Sequence, residues 1–248
     1  MRNEESVIEG RNEVIEAFRA GKTFDRLFVL DGASDGPIQT VKREAKKAGV
    51  RITFVDRKRL DELSTTGKHQ GVIAYIAAYK YALLEDVLKL ARDKNEDPFI
   101  ILLDGIMDPH NLGAIIRTAN MAGAHGVVIP ENRAAGLTAT VAKASAGALN
   151  HTPVVKVNNL KNAVESLKKE GLWFACADME GKSMYEQDLK GPLGLVIGSE
   201  GSGVSRLLKE KCDFTVSIPT KGDIDSLNAS VAAGILAFEV LRQRNESR

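Results

Sequence analysis

Apolar positions along the chain fall into two alternating kinds of run. Short runs rich in Val, Ile, Leu and Phe read as strands at 26–30, 52–55, 72–76, 99–103, 126–130, 172–177, 193–197 and 214–218, with a weaker one at 154–157. Between them, apolar residues recur at three- and four-residue spacing. This predicts helices over about 7–20, 37–48, 58–63, 77–90, 112–122, 138–148, 160–170 and 204–210, and a long one from Leu227 with Ser226 as its N-cap. In that last helix Val231, Ile235 and Phe238 form one face, while Ala232, Leu236 and Val240 extend the apolar surface most of the way round. Such a helix is buried on several sides, with its own sheet and a second subunit as the candidates.

Strands alternating with helices define an α/β protein. Strands apolar on both faces call for a mainly parallel sheet covered by helices on each side. The stretch ARDKNEDP at 91–98 is charged and has no apolar anchor. It divides the chain into a small α/β domain at 1–76, a linker with one helix at 77–97, and a larger domain at 98–248.

A chain of 248 residues with 44% hydrophobic and 27% charged residues suits soluble globular domains. Its start is charged and amphipathic and no run resembles a membrane span, so the cytoplasm is the expected location and no membrane partner is expected. Cys176 and Cys212 are isolated, which favours core packing over a disulfide framework or a metal site. The net charge of +1 is uninformative, but its distribution is not. Lys42, Arg43, Lys46, Lys47, Arg51, Arg57, Lys58 and Arg59 are opposed locally only by Glu44 and Asp56. The cluster can contact phosphates or form the solvated face of a helix.

Two late strands end in loops of unusual content: GSEGSG at 198–203 and TKGDIDS at 220–226. Glycine lets backbone groups approach a ligand, although a simple strand-to-helix turn uses the same residues. After the first strand of the larger domain comes DPHN at 108–111, where Asn111 is placed to cap a helix and Arg117 lies one to two turns in. An Arg there suits a phosphate, or an ordinary surface ion pair. Dinucleotide, P-loop, GxSxG and HExxH patterns are absent, and the four histidines are scattered with only His110 beside a candidate loop. No metal site is expected. What remains is a reaction in which the protein mainly binds and orients.

NLGAIIRTA (111–119), LVIGSEGSGV (195–204) and SIPTKGDIDSLNASVAAGILAFE (217–239) resemble, in order, the three motifs of SpoU-class RNA ribose 2′-O-methyltransferases of the SPOUT superfamily. The first domain is similar to the L30e-like RNA-binding domain found in that family, with HQG at 69–71 near its end. The resemblance implies a mainly parallel sheet tied in a trefoil knot, a topology that generic connection rules discard. It implies S-adenosylmethionine as cofactor, with Gly198, Ile218 and Leu227 among its contacts, and a catalytic neighbourhood of Asn111, Arg117, Glu200, Ser226 and Asn228. A homodimer through the methyltransferase domain is implied as well. The methyl acceptor is then a ribose 2′-hydroxyl. Length, two-domain layout and the HNLGAIIRTA context at 110–119 are most similar to enzymes that methylate a guanosine ribose of 23S rRNA, in the peptidyltransferase region. Other members act on tRNA or on another rRNA nucleotide, and a non-catalytic RNA-binding protein is the alternative from a different class. The RNA contacts expected in the first domain are Lys42, Arg43, Lys46, Lys47, Arg57, Lys58, Arg59, His69 and Gln70.

Overall fold

The computed structural model describes residues 6–222 and 226–246, so residues 223–225 of the polar loop read at 220–226 lie outside the described residues. The chain divides into two compact units. One comprises 1–80 with 136–140, and the other 81–135 with 141–248.

The first unit runs β1 (Ser6–Glu9), α1 (Arg11–Arg19), β2 (Phe24–Leu30), α2 (Gly36–Lys47), β3 (Ile52–Val55), α3 (Arg57–Leu63) and β4 (Val72–Ile76). Its sheet has the order β1-β4-β2-β3, with β2 and β3 parallel and the other pairs antiparallel. The helix expected over 7–20 is shorter than its pattern, because Val7 and Ile8 belong to β1 and pair with Tyr75 and Ala74. Gly10, at φ +97°, breaks strand from helix in a conformation that suits glycine. Val14, Leu27, Val29, Ile38, Val41 and Val72 are buried between α1, α2 and the sheet. Phe18 and Phe24 stack with ring centroids 3.9 Å apart.

The second unit begins with α4 (Leu84–Lys94), whose Val87 and Leu88 lie in this unit's core. Residues read as a linker thus carry a packed helix. There follow β5 (Phe99–Asp104), α5 (Pro109–Met121), β6 (Gly126–Pro130), α6 (Ala139–Ala144), β7 (Val154–Val157), α7 (Leu160–Lys169), β8 (Trp173–Ser183), β9 (Leu193–Gly198), α8 (Arg206–Lys209), β10 (Phe214–Ser217) and α9 (Ala229–Glu246). The sheet order is β10-β8-β9-β5-β6-β7, and every pairing is parallel. Ile100, Ile101 and Leu102 of the central β5 are wholly buried, as strands covered on both faces require. Cys176 is buried and Cys212 packs against the same core, both as free thiols.

The order of strands places the site. From β5 the chain moves outward through β6 to β7, then crosses over so that β9 returns to β5's other side. The loops leaving β5 and β9 therefore diverge at their carboxyl ends, the place where α/β sheets form ligand crevices.

Candidate active site

Beside the middle of β8 and the carboxyl ends of β9 and β10 lies a pocket of about 510 Å³. Its apolar wall is Ile197, Val216, Ile218, Leu227 and Leu236, and its rim carries Asp178, Glu180 and Glu200. Gly198, Ile218 and Leu227, the expected cofactor contacts, all line it, as do Glu200 and Ser226.

The loop after β9 folds back tightly on itself. Gly203 donates its backbone N–H to the Ser199 carbonyl at 2.8 Å, and the Ser199 and Ser202 hydroxyls are 2.8 Å apart. A Cβ on Gly198 would collide with the backbone of Gly203 and Val204, so only glycine fits this close approach. The far end of the loop is pinned by Asp104 of β5, whose carboxylate accepts from the Ser205 N–H at 2.8 Å. Across the pocket, Asp178 accepts from Lys209 Nζ at 2.6 Å and from the Glu180 N–H at 2.9 Å. The lysine contact holds the Asp178 carboxyl below its ordinary pKa, burial working against it.

Asn111, Glu200 and Asn228, separated by up to 117 positions, meet at the rim. Glu200 Oε1 accepts from Asn228 Nδ2 at 2.6 Å, from Asn111 Nδ2 at 2.9 Å and from the Ala229 N–H at 3.2 Å. Asn228 Nδ2 also donates to Asn111 Oδ1 at 3.0 Å. The carboxylate thus sits at the N-terminus of α9, where the helix dipole favours negative charge.

Both helix starts differ from the sequence reading. Asp108 caps α5, accepting from the His110 N–H at 2.8 Å, with Pro109 in the first turn. Asn111 lies inside the helix, and its amide turns to Glu200. Asn228, rather than Ser226, caps α9 by accepting from the Ser230 and Val231 N–H groups at 2.9 and 3.3 Å. In each case a capping residue of equal propensity stood nearby, and a tertiary contact decided between them. Arg117 is exposed on α5, outside the pocket lining, and forms no hydrogen bond or ion pair among the described residues. The middle of β8, from Ala177 to Glu180, lines the pocket, and only Ala177 of it falls within the strand expected at 172–177. Its only signal is the polar Asp178 ending an apolar run.

In the first unit, Lys42, Arg43, Lys46 and Lys47 lie on α2, and Arg57, Lys58 and Arg59 form the first turn of α3. Arg43 and Lys47 share Glu44 at 3.2 and 3.5 Å, and Arg59 pairs with Glu62 at 3.0 Å. His69 is buried. Its Nδ1 accepts from the Gly71 N–H at 3.0 Å, so Nε2 carries the proton facing Asp61 at 2.9 Å. The ring is therefore a buckle for the 64–71 loop rather than a group offered to a ligand. Gln70, at φ +49°, is exposed, and its carbonyl accepts from Arg11 Nε at 2.9 Å. The same loop is gripped by Glu9, which accepts from the hydroxyls of Ser64, Thr65 and Thr66 at 2.5, 2.6 and 2.7 Å. Burial alone would raise the Glu9 pKa, but these bonds and the Thr65 N–H hold it down at about 2.

Residues 98–238 match the SpoU rRNA Methylase family, and residues 7–82 match the domain described as RNA 2′-O ribose methyltransferase substrate binding. Over 246 residues the chain is 49% identical to YacO of Bacillus subtilis (strain 168), named for the TrmH family of tRNA/rRNA methyltransferases, covering 99% of this chain and 98% of YacO. Among solved structures it resembles the SpoU methyltransferase AviRb of Streptomyces viridochromogenes in complex with the cofactor AdoMet. The TM-score is 0.61 at 26% identity, over 97% of this chain and 90% of AviRb. An AdoMet-bound rRNA methyltransferase from Sinorhizobium meliloti aligns with a TM-score of 0.59 at 25% identity, over 95% of this chain and 86% of that one.

Proposed function

This chain belongs to the SpoU rRNA Methylase family of RNA ribose 2′-O-methyltransferases, and we propose that its acceptor is a guanosine ribose in the peptidyltransferase region of 23S rRNA. The observation that carries the chemistry is the joining of Asn111, Glu200 and Asn228 at the rim of a pocket lined by Gly198, Ile218 and Leu227. The rRNA reading is supported by the family match and by the Sinorhizobium meliloti relative. YacO, named for both tRNA and rRNA, keeps tRNA as the second reading.

The cofactor is S-adenosylmethionine, and the pocket suits it. Its volume falls within the range of about 300–1,000 Å³ typical of small-molecule sites. Ile197, Val216, Ile218 and Leu236 offer an apolar bed for an adenine, Gly201 and Gly203 leave open space where a side chain would stand, and Asp178, Glu180 and Glu200 suit a ligand bearing ammonium and sulfonium charge. When bound, the cofactor supplies an activated methyl group on sulfur.

The protein's own part is positioning, which for a displacement at a fixed geometry supplies much of the acceleration. Asn111 and Asn228 fix the Glu200 carboxylate at the rim, and the Asp104–Ser205 bond holds the loop that carries it. Arg117 presents the planar guanidinium fork of donors. Its role is to clamp a substrate phosphate and to stabilise charge developing on the ribose oxygen. The proposed homodimer uses the second unit, where α9 exposes Val231 and Phe238 and α5 exposes Met121. The return of the chain from edge strand β10 to pack α9 against α5 and β9 supports the threaded trefoil arrangement.

Incubation with methyl-labelled S-adenosylmethionine and separate unmodified 23S rRNA, 16S rRNA and tRNA pools, followed by mapping, tests the reading. Label on a 23S guanosine ribose is the expected result. Label confined to tRNA overturns the substrate while keeping the chemistry.

A further inference from the structure

Within the basic stretch of the first unit lies an aromatic residue that the proposed function leaves unused. Phe54 is 50% exposed on β3, the outermost strand of its sheet, bonded to a neighbour on one side only. Its ring is not loose on the surface. Lys42 Nζ donates to the Ala33 carbonyl at 2.8 Å and stands over the ring, 5.3 Å from its centroid, so the cation is tethered and takes one face of the ring. Lys46 lies one turn further along the same flank of α2. Among the described residues Lys46, Arg57 and Lys58 form no ion pair, in contrast to Arg43, Lys47 and Arg59.

We propose that Phe54, flanked by Lys42 and Lys46, is a seat on which one unpaired base of the RNA substrate stacks while the two ammonium groups meet the adjoining phosphates. The proposal rests on the reading that RNA is the substrate and adds a feature of that RNA. A base has an apolar face that an aromatic ring covers favourably, and its backbone is anionic, so an exposed ring beside fixed cations matches both parts. Paired RNA buries its base faces in the helical stack, so the seat selects an unpaired nucleotide in a loop or bulge. Stacking tolerates every base. The seat therefore reads whether a nucleotide is unpaired rather than which nucleotide it is. An acidic protein would engage the cations but has no need of the ring.

The test uses the full-length chain and two fluorescein-labelled RNAs at one salt concentration: a hairpin with a ten-nucleotide unpaired loop, and a blunt duplex of the same length. Fluorescence anisotropy gives the affinities. Phe54→Leu keeps an apolar cover on the strand and should weaken hairpin binding roughly tenfold while leaving duplex binding unchanged. Phe54→Trp should bind the hairpin at least as well as the unmodified protein. Lys42→Ala should weaken both RNAs and lower the salt dependence. Thermal midpoints and S-adenosylmethionine binding, unchanged in Phe54→Leu, show that the fold is intact. Equal hairpin affinity in Phe54→Leu, or an equal loss for both RNAs, overturns the seat while the RNA reading stands, and leaves the patch to an acidic protein partner. If the unmodified protein binds neither RNA nor labels any, both readings fall together.

Discussion

Asn228 performs two tasks with one carboxamide: its Nδ2 donates to Glu200 Oε1 at 2.6 Å, while its Oδ1 accepts from the Ser230 and Val231 N–H groups that begin α9. The helix start and the rim of the pocket are thus set by the same side chain. Asn228→Asp separates the tasks, because a carboxylate caps as well as a carboxamide but cannot donate to Glu200. Its thermal midpoint should stay close to that of the unmodified protein, while methyl transfer falls by about tenfold or more as two carboxylates repel at the rim. Asn228→Ala should lose both, with a cap loss of about 1 kcal/mol visible in denaturant unfolding.

Arg117 is exposed and free of partners among the described residues, so removing it costs the fold little. Arg117→Ala should leave S-adenosylmethionine affinity unchanged and lower kcat/KM for RNA by about a hundredfold or more. Arg117→Lys should recover only part, since an ammonium lacks the planar fork of donors. Normal turnover by Arg117→Ala, measured with saturating RNA, would remove the residue from the mechanism.

At Gly198 the backbone of Gly203 and Val204 occupies the space a side chain needs. Gly198→Ala must open the 198–203 loop, and the pocket with it. Calorimetric titration with S-adenosylmethionine should show binding weakened by about tenfold or more, with unfolding lowered by about 1–3 kcal/mol from overpacking.

Glu9 supplies a pH dependence of known sign. Its folded pKa of about 2 lies below the ordinary 4.5, so its contribution is complete above pH 4.5 and is lost as pH falls toward 2. A shift of that size corresponds to about 3 kcal/mol. Glu9→Gln should lower stability at neutral pH and flatten the decline of the thermal midpoint between pH 4.5 and 2. A parallel decline in both proteins would assign the acid sensitivity elsewhere.

The strands of the second unit were legible because each is a local apolar run between turn residues. Observed β5, β6, β7, β9 and β10 fall within a residue or so of the sequence reading. β1 was not legible: Val7 and Ile8 fit the periodicity of the following helix, and only pairing with Tyr75 and Ala74 makes them a strand. β8 extends to Ser183, beyond its apolar run, because Lys182 and Ser183 pair with Val216 and Ser217 after an irregularity in register. The clamp of Glu9 on Ser64, Thr65 and Thr66 left no pattern either, since a carboxylate and three hydroxyls more than fifty residues apart carry no periodic signal.

By itself the sequence determined the α/β class, the glycine-bearing loops after the late strands and the order of the three family motifs. All of these follow from local spacing, which the chain carries wherever it goes. Only the tertiary structure decided which polar residue caps each helix, that α4 joins the second core, and that Asn111, Glu200 and Asn228 share one carboxylate oxygen. Those choices depend on distances between segments up to 117 positions apart, where several local options are nearly equal in energy and a single long-range hydrogen bond selects among them.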